Sequence, residues 1–422
     1  MRASVVAAAV LAVSAAACSS AAPGAVNNST LTVVTLNPFT GPDGPFGPEQ
    51  AAGCQAAATA INAAGGVLTD KVVCANVDTQ GNPADAVTAA AKVLATTSDV
   101  FGVLGPSSDE ADATAPLINA AKVPMFADTG QGSFDHTKLQ DFWRMTAADD
   151  AQGAAMALYA HQKGYLRGAA VFGNNIGSQT SVPTLQKAYR ALGGNMVVTQ
   201  KLTVGQTSYQ LEVEQLIQAR PQVIFTEASP QADATYFAEL QQLGHLIPII
   251  GTDGTTQPAW LTAVTRAIGK PALSQHYVAA QPYAAPSGAG WRLYDKNLLA
   301  SALVPQPAQW STDSYTMTAY DGVIVMALAA TLTKSTSPAV WNASIMAVTT
   351  ASPDAMMVHS YADGVAALHA GKKIDYVGAA GPIAFNQWHN SPGGFEIAAY
   401  QTNGNLNLVD LITAADLAPL NK

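Results

Sequence analysis

The chain is short of charge, and shortest of positive charge. Only 12% of its 422 residues are Asp, Glu, Lys or Arg, against ~25% in typical soluble domains. Its 20 Lys and Arg face 29 Asp and Glu, a formal net charge of −9. Neutralising a phosphate backbone needs clustered cations, so the balance argues against a general nucleic-acid binder. Cysteine is scarce, with three in all, and no CxxC pair or Cys/His spacing of a zinc site occurs. The histidines (His136, His161, His245, His276, His359, His369 and His389) show no ligand spacing. His359 and His369 fall about three turns apart on one predicted helix, too far to share a metal. No metal and no cofactor is expected. Beyond the N-terminus long apolar runs are missing too. The longest, residues 322–333, is about two-thirds of the ~18 residues a spanning helix needs. GxSxG, HExxH, P-loop and GxGxxG signatures are all absent, so a hydrolase on this scaffold would lack its nucleophile elbow.

What is present is apolar bulk. Hydrophobic residues make up 49% of the chain, which excludes a mainly disordered polymer. At ~150 residues per domain the length suggests two or three domains.

Residues 1–17 carry one charge, Arg2, followed by small and apolar side chains, and read as a secretory signal. Cys18 directly after Ala15-Ala16-Ala17 resembles a bacterial lipoprotein box, in which the lipidated cysteine becomes the first mature residue. The usual leucine of that box is Ala15 here, and the alternative is ordinary cleavage near Ala17 with Cys18 incidental. Residues 18–30 are rich in Ser, Ala, Gly and Asn and fit a flexible tether. With Cys18 lipidated, Cys54 and Cys74 remain. In an oxidising compartment an even remainder suggests a disulfide, worth ~3 kcal/mol in the chain-entropy model; two buried free thiols are the alternative.

From residue 31 short β-rich runs alternate with helical ones. Strands are expected at 31–36, 71–78, 100–104 and 123–127, with helices at 48–64, 83–97 and 109–121 between them. Gly65-Gly66 stops the first helix, and Asn82-Pro83 starts the second. A second series has helices at 149–162, 179–192, 209–219, 231–243 and 258–267, and strands at 168–172, 195–200, 222–226, 247–250 and 276–280. Such alternation implies parallel sheets covered on both faces. After a break at 282–290 only helices are expected, at 290–302, 314–332, 338–346 and 354–370, and then strands at 394–401 and 406–412.

Open α/β sheets bind ligands beyond the carboxyl ends of their strands. The loops there are small and polar: Gly105-Pro106-Ser107-Ser108-Asp109-Glu110, Asp128-Thr129-Gly130-Gln131, Gly173-Asn174-Asn175-Ile176-Gly177, Glu227-Ala228-Ser229-Pro230 and Gly251-Thr252-Asp253-Gly254. The hydroxyls of Ser107, Ser108 and Thr129, beside the start of the helix near Asp109, suit a carboxylate. Asp253 and Glu227 suit a ligand cation. Plain capping or turn roles are the alternatives for Asp109, Asp253 and Glu227. Trp143 is read as core packing, and Tyr320 as either core or cleft wall.

These residues carry a resemblance. Ala58-Thr59-Ala60-Ile61-Asn62-Ala63-Ala64-Gly65-Gly66, the Gly105-Pro106-Ser107-Ser108 loop, Tyr320-Asp321-Gly322, and residues 370–378 leading to Gly381-Pro382-Ile383-Ala384-Phe385 resemble a solute-binding lipoprotein of the type 1 periplasmic-binding fold, in the branched-chain amino acid and amide group that serves ABC importers. The family also has a disulfide similar to Cys54–Cys74. The resemblance implies an α/β chain of two doubly wound parallel-sheet lobes joined by three crossings, with the ligand between them. Lobe 1 would take residues 31–146 and 283–378, and lobe 2 residues 147–282 and 379–415.

By position, Ser107, Ser108, Asp109, Asp128, Thr129 and Gln131 would hold the ligand from the first lobe. Asn175, Ile176, Glu227, Ser229 and Asp253 would close over it from the second, Asp253 pairing with an ammonium. The family serine expected four residues after Gly105 is Asp109, and Ile176 and Ser229 replace second-lobe tyrosines of leucine-binding members. Asp109, Asp128, Glu227 and Asp253 would make the cleft acidic, which argues against a leucine-like ligand and allows a cationic or polar amine, an amide or a small peptide, within a general expectation of an amino acid, amide or similar small polar solute. The function implied is an exported, lipid-anchored receptor, not an enzyme, that hands a small solute to an ABC permease. The alternative is a sensing or cell-wall-enzyme-activating lipoprotein of the same fold.

Overall fold

The computed structural model describes residues 29–420 except 42, 43, 45, 98, 284, 285 and 392, and says nothing of the side chains of residues 108 and 109. The expected signal, Cys18 and all but the last two tether residues lie outside the described residues.

Strands β1 (Thr30–Asn37), β2 (Lys71–Asp78), β3 (Val100–Ser107), β4 (Met125–Asp128) and β5 (Phe142–Arg144) form one sheet in the order β2-β1-β3-β4-β5. All its pairings are parallel. Strands β6 (Arg167–Gly173), β7 (Asn195–Leu202), β8 (Val223–Glu227), β9 (Ile249–Gly251) and β10 (Tyr277–Pro282) begin a second sheet. The chain then returns to the first core, where β11 (Ala355–Val358) pairs in parallel with β12 (Lys373–Tyr376). Finally β13 (Phe395–Tyr400) and β14 (Leu406–Ile412) add antiparallel to the second sheet, whose order is β14-β13-β10-β9-β8-β6-β7. The chain thus passes between sheets three times: after β5, after β10 and before β13.

Packing explains the return. The helix Ser314–Thr333 is apolar on all sides, and by length and composition it could cross a membrane, yet 83% of its apolar window is buried. A helix apolar all round belongs inside a core. Here it packs along the helix Phe46–Ala63 of the first lobe. A Cβ on Gly53 would lie 2.4 Å from the Thr316 carbonyl, so the two backbones meet where only glycine fits. Cys54 of that helix is disulfide-bonded to Cys74 of β2, with 6.1 Å between Cα atoms. Asp321, fully buried, accepts bonds from the Tyr376 hydroxyl (2.8 Å) and the backbone N–H of Ala379 (2.8 Å) and Ala380 (2.9 Å). It pins the start of the third crossing to the core helix.

The structure corrects several sequence expectations. Residues 354–370 do not form one helix. β11 takes up the first part by pairing with β12, and Ser360 caps a shorter helix, Tyr361–His369, by accepting the Asp363 N–H at 3.1 Å. His359 therefore precedes the helix that holds His369. Residues 338–346 break into Pro338–Trp341, a 3-10 turn at Asn342–Ser344 and Ile345–Thr349. Residues 179–192 divide into Ile176–Gln179 and Val182–Ala191, and a helix Lys270–His276 precedes β10. The three residues of β5 are too short to show an alternation in sequence.

Candidate functional site

The carboxyl ends of both sheets face one gap, where a cavity of about 90 Å³ is lined by both lobes. The first lobe contributes Ser107 and Asp128, the last residues of β3 and β4, together with Gly130, Phe46 and Tyr315. Thr146 lies at the first crossing, and from the far side come Asp149, Gln152, Asn175, Gly177, Thr180, Glu227, Asp253 and Gly254. Glu227 ends β8, and Asp253 opens the 3-10 turn after β9. Asp149 and Gln152 belong to the first turn of the helix Asp149–Gln162, immediately after the first crossing.

Backbone geometry at the rim demands glycine twice. Gly105 has φ of +104°, and a Cβ there would lie 2.3 Å from the Leu36 carbonyl. At Gly130 a Cβ would lie 1.8 Å from Asp149 Oδ1. That missing side chain lets a second-lobe carboxylate rest against the first-lobe backbone, while the Asp149 N–H donates to the Gly130 carbonyl at 2.7 Å.

A side-chain network joins the lobes. The Tyr315 hydroxyl of the first lobe donates to Asp253 Oδ2 of the second. Gln152 Nε2 donates to Asp253 Oδ1 and, at 2.9 Å, to the Ala280 carbonyl. Gln50 Nε2 donates to Asp128 Oδ2 at 2.9 Å and reaches the Tyr315 carbonyl at 3.5 Å. The Thr252 hydroxyl donates to Glu227 Oε2 at 2.7 Å.

Electrostatics set the gap apart. Burial, and then the Asp253 carboxylate, push Glu227 up to about 8 against the pull of the Thr252 hydroxyl. Burial lifts Asp149 to about 7, opposed by the Thr180 hydroxyl and reinforced by Asp253. Asp128 is driven well above the ordinary carboxylate range by burial and by Asp253, Asp313 and Asp149. Glu49, only 1% exposed, is driven up by burial and by Asp313, Asp128 and Asp253. Among the described residues lining the cavity there is no Lys, Arg or His. The buried Arg144 nearby is committed to Asp135 at 2.6 Å and to the carbonyls of Gly130 and Gln131.

The geometry sorts the residues expected from sequence. Ser107, Asp128, Asn175, Glu227 and Asp253 line the cavity. Thr129 is fully buried and its hydroxyl accepts the Gln131 N–H at 3.4 Å. Gln131 is 3% exposed and its Oε1 has no hydrogen-bond partner. Ile176 is 59% exposed and does not line the cavity. Ser229 caps the helix Pro230–Gln242 by accepting the Ala232 N–H at 3.4 Å. Ser108 and Asp109 are placed by backbone alone, at the start of the helix Ser108–Ala120. Trp143 and Tyr320 are core residues, 3% and 1% exposed.

Missed were Glu49, Gln50, Thr146, Asp149, Gln152 and Tyr315. Asp149, Gln152 and Tyr315 sit in first helical turns that open on the gap, and Glu49 and Gln50 stand behind it near the start of the helix Phe46–Ala63. Acids there, such as Asp149-Asp150 and Asp313 before Ser314-Tyr315, were readable only as caps.

A family model described as periplasmic binding protein matches residues 30–386. The chain belongs to that family. It is a family of solute binders rather than enzymes, and the architecture is the type 1 periplasmic binding fold. A Leu/Ile/Val-binding protein of Rhizobium johnstonii is 26% identical over 246 residues, covering 57% of this chain and 66% of that protein. The crystal structure of a leucine-binding protein from Thermotoga maritima superposes with a TM-score of 0.72 at 19% identity, over 92% of this binding protein and 100% of that chain. A solute-binding protein of an R. palustris ABC transporter, solved with 4-hydroxybenzoate, superposes with a TM-score of 0.70 at 16% identity, over 91% and 97% of the two chains. At these identities the structural likeness is one of fold.

Proposed function

We propose that this binding protein captures a small polar solute between its lobes and delivers it to an ABC importer, from outside the cytoplasm and anchored by lipid on Cys18. The observation that carries the reading is the convergence of side chains from both lobes on one cavity, Asp128 and Tyr315 from one side and Asp149, Glu227 and Asp253 from the other. A solute touching both sets is fully bound only when the lobes are together, so it shifts the population toward the closed form. Partner acids and amides suit ligands rich in N–H donors: an amino acid, an amide or a polar amine. The division expected from sequence, 31–146 with 283–378 against 147–282 with 379–415, fits this hinged action, because the three crossings then serve as the hinge. Ser107, Asp128, Asn175, Glu227 and Asp253 are the proposed contacts.

A thermal-shift screen of the chain against amino acids, amides and amines tests the proposal. A ligand that binds only the native state raises stability by RT ln(1 + [L]/Kd). Saturable stabilisation by one chemical class is expected. A flat response to every class would reject transport and favour the alternative that acts through protein contacts, activation of a cell-wall enzyme.

A further inference from the structure

The cavity is lined by acids and, among the described residues, offers a carboxylate no cationic partner. Asp128, Asp149, Glu227 and Asp253 line it, and Glu49 lies close enough for mutual repulsion with Asp128 and Asp253. Two of these acids are visibly incomplete: Glu49 Oε1 and Asp128 Oδ1 are buried and have no hydrogen-bond partner. Buried polar atoms of this kind are normally satisfied, and a buried carboxylate is normally paired with a cation. Among the described residues no Lys, Arg or His lines the cavity; Arg144 is paired with Asp135 and acts on Asp149 from outside the lining.

The place for a carboxylate, the end of β3 before a helix, is already used. The Ser107 hydroxyl donates to Glu110 Oε2 at 2.9 Å, and Thr79 donates to Glu110 Oε1. A ligand carboxylate there would meet a protein carboxylate. Nor do the acids form a metal site: among the described residues no group of three or more His, Cys, Asp or Glu could hold a metal ion. The acids surround a cavity of about 90 Å³, room for a compact group of a few heavy atoms, given that ~150 Å³ accommodates benzene.

We infer that the solute is a carboxylate-free organic cation, an amine or guanidinium compound, rather than an amino acid or an aromatic acid. The inference rests on the capture reading above and names its substrate class. Ammonium or guanidinium N–H groups would satisfy the orphan oxygen of Asp128, which lines the cavity, and offset the repulsion among the acids, Glu49 behind them included. The bound cation would also stabilise the ionised forms of Glu227 and Asp149.

Two matched pairs differing by one carboxylate, and a third differing only in charge, give the test. The full chain is titrated calorimetrically at pH 8 with agmatine against arginine, cadaverine against lysine, and guanidinium against urea, with leucine and 4-hydroxybenzoate alongside. The expected result is that at least one amine or guanidinium cation binds, and binds 100-fold or more tightly than its partner and than leucine or 4-hydroxybenzoate. Glu227→Gln should weaken that cation at least 10-fold while leaving the circular dichroism spectrum unchanged. Equal or tighter binding of arginine, lysine, leucine, 4-hydroxybenzoate or urea overturns the inference and leaves the capture reading standing. Binding of none of the eight overturns the inference, and a flat screen against all classes removes the capture reading with it.

Discussion

Glu227 gives the site a pH signature that can be worked through. Its carboxyl is held up to about 8 against an ordinary 4.5, by burial first and by the Asp253 carboxylate second. In the unfolded chain the proton leaves near the ordinary value, whereas in the ligand-free fold it stays until near the raised one. Between these limits the folded state binds the extra proton, so stability is greatest at low pH and is lost as pH rises. Each pH unit in that window costs ~1.4 kcal/mol, which puts the loss from this one group at up to about 5 kcal/mol. Parting of the lobes would rehydrate the carboxylate, so the measured loss should fall below that ceiling. Glu227→Gln has no such proton and keeps an oxygen for the Thr252 hydroxyl. Urea unfolding of both proteins from pH 5 to pH 8.5 should show near-equal stability at the acidic end, with the variant ahead by 2 kcal/mol or more at the alkaline end. A difference that is constant across pH, or that reverses, would refute the buried, repelled carboxylate.

Two further substitutions separate the site from the scaffold. Tyr315→Phe removes the hydroxyl that bridges to Asp253 across the lobes; a hydrogen bond to a charged group is worth ~1.5–3 kcal/mol, so cation affinity by calorimetry should drop about 10-fold or more with little change in unfolding. Asp321→Ala strips three bonds from the third crossing and should destabilise the chain by ~3 kcal/mol in denaturant melts at pH 5; burial holds the Asp321 carboxyl up to about 7, so the deficit should narrow as pH rises toward that value.

Much of this architecture is legible in the residues. The β-rich runs separated by capped helices place the strands of both sheets apart from the three-residue β5, because period and punctuation are local signals. Asn82-Pro83 is one example: the Asn82 side chain accepts the Asp85 N–H at 3.0 Å, as its cap position implies. The strand Ala355–Val358 was hidden because its partner, Lys373–Tyr376, lies beyond the intervening helix, so its strand character is a tertiary property. In the site, reading the loops after the strands located Asp128, Glu227 and Asp253. Tyr315 and Gln152 escaped because they reach the gap from helix first turns, where sequence shows only capping. That Gly130 makes room for Asp149 is invisible until the lobes are seen together.

The most direct test of capture by two lobes removes one carboxylate from each side. Asp128→Asn in the first lobe and Asp253→Asn in the second are titrated calorimetrically with the tightest-binding member of the amine panel. Both should weaken it, each by ~2 kcal/mol or more, since a charge partner is lost from either wall. Full affinity in either variant would mean that one lobe binds alone, and would contradict the account.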